Sequence, residues 1–213
     1  MTTKKIHTSS SARQGSKASQ SEEPPGTRAR ILEAAVSSLI EHGSARTTTL
    51  EVQRRAGVSR GALLHHFPTH AALLASTISE LIKRNEASVQ ESLEKLKGAD
   101  DIVERAIRVL AIATTQPAYL AELELWAVAR TDPELKTSLL EAERSARKES
   151  ERVMHTLFSQ GSDGAEKSPV VAMTVEFLRG LALSGVLRSS PVRRQQLISQ
   201  WIGAARVIME MQK

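Results

Sequence analysis

The chain has 213 residues, enough for one large domain or a small domain joined to a medium one. It contains no cysteine, which excludes a disulfide framework, a thiolate metal site and a cysteine nucleophile, and its six aromatics leave a core built mainly of Leu, Ile, Val and Ala. The net charge is +5, and its placement is uneven: residues 1–72 carry ten Lys and Arg against five acids, whereas the remainder carries nineteen of each. A surplus confined to the first third suits a polyanionic partner, although a basic tail beside a neutral domain would give the same numbers.

Residues 1–26 are rich in Ser, Thr, Lys and Gln and end in Pro24-Pro25-Gly26. They hold too little apolar surface to offset their ordering entropy and read as a disordered basic tail without the apolar segment of a secretory signal. From Thr27, the expected N-cap, Ile31, Leu32, Ala35, Val36, Leu39 and Ile40 follow helical spacing up to Gly43. Thr48-Thr49-Leu50-Glu51 is a capping box opening a short helix that ends near Ala56, and Gly57-Val58-Ser59 turns the chain into a second short helix, Arg60 to Phe67, halted by Pro68.

Longer helices are expected over His70–Leu96, Asp101–Thr115, Pro117–Arg130, Pro133–Gln160, Pro169–Leu187 and Pro191–Met211, with prolines at or near their starts. Thr131-Asp132-Pro133-Glu134 reads as a further capping box, and residues 161–167 read as a flexible joint. No alternating β-branched run predicts a sheet, and no apolar run reaches the ~18 residues of a membrane span. The fold class is therefore all-α.

The layout from Thr48 to Phe67 is that of a helix-turn-helix, in which the second helix enters the major groove of DNA. Leu63 and Phe67, four apart, would pack inward, leaving Arg60, Gly61, Leu64 and His65 outward. Gly61 allows the backbone close to DNA, and Ser59 with the helix N-terminus can donate to phosphate.

The string Gly57-Val58-Ser59-Arg60-Gly61-Ala62-Leu63-Leu64-His65-His66-Phe67-Pro68-Thr69-His70-Ala71-Ala72-Leu73-Leu74, with Ile31-Leu32-Glu33-Ala34-Ala35 and residues 43–49 upstream, resembles the DNA-binding domain of TetR-family transcriptional regulators. The resemblance implies a helix-turn-helix domain over residues 27–72 and a helical effector-binding and dimerisation domain over residues 73–213. It implies a homodimer on a palindromic operator, usually a repressor released by a small-molecule effector; an activator or a ligand-independent DNA-binding protein is the alternative. It places Thr48 and Thr49 at a phosphate and Arg60, Gly61, Leu64 and His65 in the groove, with Ser59, Ala62, His66 and His70 in the same interface. The chain departs from the family pattern at Leu64, often Tyr, and at His70, often Lys, which removes two phosphate contacts and puts more weight on Thr49, Ser59, Arg60 and His66.

Other constellations are weaker. His66 and His70 are four apart but separated by Pro68 and lack a third ligand, so no metal site is expected. Ser184-Gly185 lacks the strand-turn-helix setting of a nucleophile elbow, and Gly180 and Gly185 read as helix-packing positions. No enzyme constellation and no cofactor is implied. The charged run from Glu141 to Arg152, Glu143 included, reads as a solvated helix face, and Glu122 and Glu124 as pointing to different faces. Candidate effector contacts are Tyr119, Glu122, Trp126, Arg130, His155, Phe158, Met173 and Phe177. The last two helices, with apolar faces at Val170, Val171, Val175, Leu178, Leu181 and Leu183 and at Leu197, Ile198, Trp201, Ile202, Ala205 and Ile208, could form a four-helix bundle between two copies. A cytoplasmic protein without a membrane partner is expected.

Overall fold

A computed structural model describes residues 1, 26–96, 101–158 and 169–211. The expected tail and the expected flexible joint at 161–167 lie outside the described residues. Those residues form α1 (Thr27–His42), a 3₁₀ turn (Ser44–Arg46), α2 (Thr49–Ala56), α3 (Arg60–His66), α4 (His70–Lys95), α5 (Ile102–Ala113), α6 (Pro117–Ala129), α7 (Pro133–Phe158), α8 (Pro169–Leu187) and α9 (Pro191–Glu210), with no strand among them.

The helix starts are set by capping side chains. Thr48, Ser59, Thr69, Asp101 and Ser190 each accept a backbone N–H at the start of α2, α3, α4, α5 and α9. Two caps differ from expectation. Gly26, not Thr27, precedes α1, and no side chain caps it. At α7 the cap is Asp132, whose Oδ1 accepts the Leu135 N–H at 2.9 Å, while Thr131 donates back to the Val128 carbonyl. Its shorter carboxylate, directly before Pro133, sits where the orphan N–H groups are.

Three apolar clusters stack along the molecule. The first joins α1, α2 and α3 through Ile31, Ala35, Val52, Leu63, Phe67 and Leu73. The second ties α1 and α4 to α6 and α7 through Leu39, Ile78, Leu81, Leu125 and Leu135. The third joins α4 and α5 to α7, α8 and α9 through Val89, Ile107, Leu157, Leu178 and Ile202. Helix α4 reaches all three and packs on α1, α5, α6 and α7.

Two expectations for α8 are overturned. Pro169–Leu187 is long and apolar enough to cross a membrane by length and composition, against the expectation that no such run exists. It contains the ion pair Glu176–Arg179 and packs on α5, α6 and α9. Gly180 and Gly185 meet no neighbouring helix within the chain: a Cβ built at either meets nothing within 4 Å. Gly180 lies on the side of α8 that leaves Met173, Leu183 and Leu187 exposed, and Val186 of α8 with Val192 and Val207 of α9 is exposed as well. Leu183, read from the sequence as part of the packing face, is among them because it lies on the side of α8 away from α5.

Candidate nucleic-acid interface and interior cavity

The turn between α2 and α3 is made by Gly57, at φ 62° and ψ 41°, a left-handed conformation that favours glycine. Arg30 of α1 reaches the same turn and donates to the carbonyls of Ala56 at 2.6 Å and Gly57 at 3.1 Å, occupying acceptors left open at the end of α2. Leu63 and Phe67 are buried against α1 and Val58 packs on the same cluster, so the orientation of α3 is fixed from within.

That orientation exposes Arg60, Gly61, Leu64 and His65 on one side of α3, with Ala62 and His66 at its margins. Leu64 keeps 40% of its surface exposed, and Arg60 forms no ion pair among the described residues. Ser59 is exposed at the helix start, where its Oγ accepts the Ala62 N–H at 3.1 Å. Thr48 is exposed and Thr49 half-buried at the start of α2. A Cβ on Gly61 would meet only Ser59 Oγ at 3.9 Å, so the backbone there is open to approach. The nearby cations are more committed: Arg54 pairs with Glu51 at 2.9 Å, Arg55 with Glu41 at 2.8 Å, and Arg28 lies over the Phe67 ring at 5.3 Å.

His70 is exposed at the start of α4, but its Nε2 lies 2.7 Å from the Thr47 carbonyl. A carbonyl only accepts, so that nitrogen donates and is already in use. The His66 ring stacks edge-on against His65 at 5.2 Å, and the described residues hold no group of three His, Asp or Glu suited to a metal.

Behind this surface, α4, α5, α6, α7 and α8 line a partly open cavity of about 160 Å³. Its walls are largely apolar, with Ile82, Val89, Leu110, Val153, Met154 and Leu178. Its polar lining is Asn85 and Glu86 of α4, Thr114 after α5, Tyr119 and Glu122 of α6, and Glu143 and Ser150 of α7. Asn85 Nδ2 donates to Glu122 Oε2 at 2.6 Å. Burial first, and then the neighbouring charge of Glu143, push the Glu122 carboxyl up to about 7. Burial also raises Glu143, against the pull of Arg179 and the indole of Trp126.

Of the eight expected effector contacts, Tyr119 and Glu122 line the cavity and the other six do not. Trp126 stands behind it, under the Arg179 guanidinium at 4.6 Å. Arg130 and His155 are exposed, Phe158 is buried in the distal core, Met173 faces outward and Phe177 stacks on Trp201 at 5.6 Å. Glu143 corrects the reading of Glu141–Arg152 as wholly solvated, because it turns inward from an otherwise charged face where α7 crosses α4. Asn85 and Glu86 were missed. Their signal was a polar pair at the third and fourth positions after Ile82, interrupting the apolar stripe of α4 before Val89.

Residues 31–77 match the family model for bacterial regulatory proteins of the tetR family. HTH-type transcriptional regulator CymR of Pseudomonas putida is 27% identical over 188 residues, covering 88% of this chain and 93% of its own. TtgR, another HTH-type transcriptional regulator of Pseudomonas putida, is 42% identical over 60 residues, 28% of this chain and 29% of its own. Among solved structures, multidrug binding protein EbrR complexed with imidazole aligns with a TM-score of 0.59 at 20% identity, over 84% of this chain and 96% of its own. A transcriptional regulator from Rhodococcus sp. Rha1 aligns at 0.62 and 24% identity, over 84% and 96%.

Residues 31–77 are thus similar to the DNA-binding domain of the TetR family.

The similarity supports a DNA-binding transcriptional regulator. The two departures from the family pattern noted in the sequence have structural counterparts. Leu64 presents an apolar surface where a Tyr hydroxyl is common, and His70 ties α4 to the backbone before α2.

Proposed function

We propose that this protein is a homodimeric, cytoplasmic repressor that binds a palindromic operator through α3 and leaves it when a small molecule fills the cavity. The observation that carries this reading is the position of the cavity: it is lined by α4 and α6, and the same two helices pack on α1 beneath the recognition unit. A ligand that changes the spacing of α4 and α6 therefore acts on the seat of α3. This is a population shift, and it requires a ligand that prefers the state with low DNA affinity.

In the proposed interface, Arg60, Gly61, Leu64 and His65 face the groove with Ala62 beside them; Thr48, Thr49 and Ser59 meet phosphates, and His66 and His70 lie at the edge. Two copies joined through the exposed apolar side of α8 and α9 would place two α3 helices on one face, as half-sites about 34 Å apart demand.

The test is selection of duplexes from a random pool by the full chain, followed by a salt titration on the selected and a scrambled duplex. A palindromic selected site bound at least about a thousandfold tighter than the scrambled one supports the reading. Equal binding of both at every salt concentration overturns it.

A further inference from the structure

The lining of the cavity has spare hydrogen-bond acceptors and few spare donors. Asn85 spends one of its two amide N–H groups on Glu122, and its Oδ1 is buried with no partner among the described residues. Ser150 gives its hydroxyl to Glu86 Oε1 at 3.3 Å, and Thr114 gives its own to the Ala111 carbonyl at 3.1 Å. Glu143 Oε1 is likewise buried without a partner among the described residues, and Glu122 retains only 8% of its surface. Three carboxylates from three helices thus share a space walled by aliphatic side chains.

The nearby cation offsets Glu122 and Glu143 only in part, since burial still raises both. Arg179 of α8 is not part of the lining; it is held by Glu176, the Tyr119 hydroxyl and the Trp126 ring. Buried acceptors without donors cost free energy, and buried carboxylates without a counter-charge cost more. The complement to this lining is a positive group with N–H donors on a compact apolar body. An apolar cavity of roughly 150 Å³ accepts benzene, so the space of about 160 Å³ sets the body at about one ring.

We propose that the cavity binds a small organic ammonium ion, its N–H groups shared among Glu122, Glu143 and the Asn85 carbonyl and its apolar part against Ile82, Val89 and Leu178. This names the chemical class of the effector and rests on the effector reading given above. The raised carboxyl of Glu122 agrees with it, because an ammonium would add a counter-charge where the pull of Arg179 does not outweigh burial.

The test uses the full chain without DNA and three probes of one size: benzylammonium, benzyl alcohol and benzoate. Isothermal titration at pH 8, where Glu122 is ionised, is expected to show benzylammonium binding at least about tenfold tighter than benzyl alcohol, the ratio that 1.4 kcal/mol produces. Benzoate is expected not to bind. Glu122→Gln and Glu143→Gln should each weaken benzylammonium by about tenfold or more, with unchanged helix content by circular dichroism. Benzyl alcohol or benzoate binding as tightly as benzylammonium overturns the proposal, as does no binding of any probe at millimolar concentration. The ranking of the three probes on the unaltered chain stands even if a variant fails to fold.

Adding the probes to a complex with selected DNA separates the two readings. Benzylammonium that binds but leaves DNA affinity unchanged supports the ammonium site and removes its role as effector. Release by benzoate and not by benzylammonium keeps an effector and overturns the ammonium assignment.

Discussion

Glu124 of α6 accepts the backbone N–H of Ser44 through Oε1 at 2.6 Å. The bond crosses from the C-terminal helices to the 3₁₀ turn that precedes α2. Two residues earlier on the same helix, Glu122 lines the cavity. Glu122 and Glu124 face different ways, as their spacing predicted, and one helix therefore touches both the proposed effector and the base of the helix-turn-helix. Gly43 accommodates this contact: at φ 76° a Cβ there would lie 3.0 Å from Glu124 Oε1.

Replacing Glu124 with Ala should uncouple the two ends. A backbone N–H bonded to a carboxylate contributes about 1.5–3 kcal/mol, so part of that should be lost in urea denaturation. The larger effect should be on communication: effector affinity stays near that of the parent, while the loss of DNA affinity caused by effector shrinks by about tenfold or more. Parallel titrations of effector alone and of effector against the DNA complex measure both. An unchanged effector response would remove Glu124 from the coupling route.

Arg60→Ala should weaken binding to the selected operator by about 1–3 kcal/mol while the melting temperature stays constant, because the Arg60 side chain has no ion pair among the described residues. Ser59→Ala should act differently. It removes the cap on α3, costing about 1 kcal/mol of stability as well as DNA affinity. Fluorescence anisotropy with thermal melts distinguishes the two patterns.

Stability should fall as pH rises, in a window set by Glu122. Its folded carboxyl lies at about 7 against a reference of 4.5, so between those values the folded protein holds a proton that the unfolded chain has lost. Stability from this group is fully present below pH 4.5 and is lost on the way to pH 7, by about 3 kcal/mol in total. Glu122→Gln should remove that component. Urea titrations at pH 5 and pH 8 read it as the difference between the slopes of the two proteins; identical pH dependence would mean that Glu122 is ionised without cost.

Val207→Arg places a charge in the exposed apolar side of α8 and α9, where Val207 is 58% exposed in the single chain. If two copies meet there, sedimentation should show conversion to monomer, and operator affinity should fall with it. A variant that still sediments as a dimer would move the interface elsewhere.

The recognition unit was legible in the sequence because its signals are local. The capping residues Thr48 and Ser59, the turn at Gly57 and the inward pair Leu63 and Phe67 all act within a few residues, and they stand in the structure where they were expected. The cavity was not legible in the same way. Its polar lining comes from positions 85, 86, 114, 119, 122, 143 and 150, which meet only because α4, α5, α6 and α7 pack together. Aromatic residues were a poor guide to it: Phe158 and Phe177 fill core positions, and the space is bounded by aliphatic side chains. Glu143 was hidden by its neighbours, since a charged run gives no sign that one member turns inward.

The hydrogen bond from His70 to the Thr47 carbonyl has a mechanical meaning. His70 is the first residue of α4, and Thr47 leads directly into α2. The bond joins α4 to the head as a lever is joined to its load. With 26 residues α4 is about 39 Å long, so a few degrees of tilt at the end beside Val89 become a displacement of ångströms at the end that carries α3. In the proposed dimer, a bound molecule of one ring's bulk would need to move its surroundings very little for the two reading heads to fall out of step with the double helix.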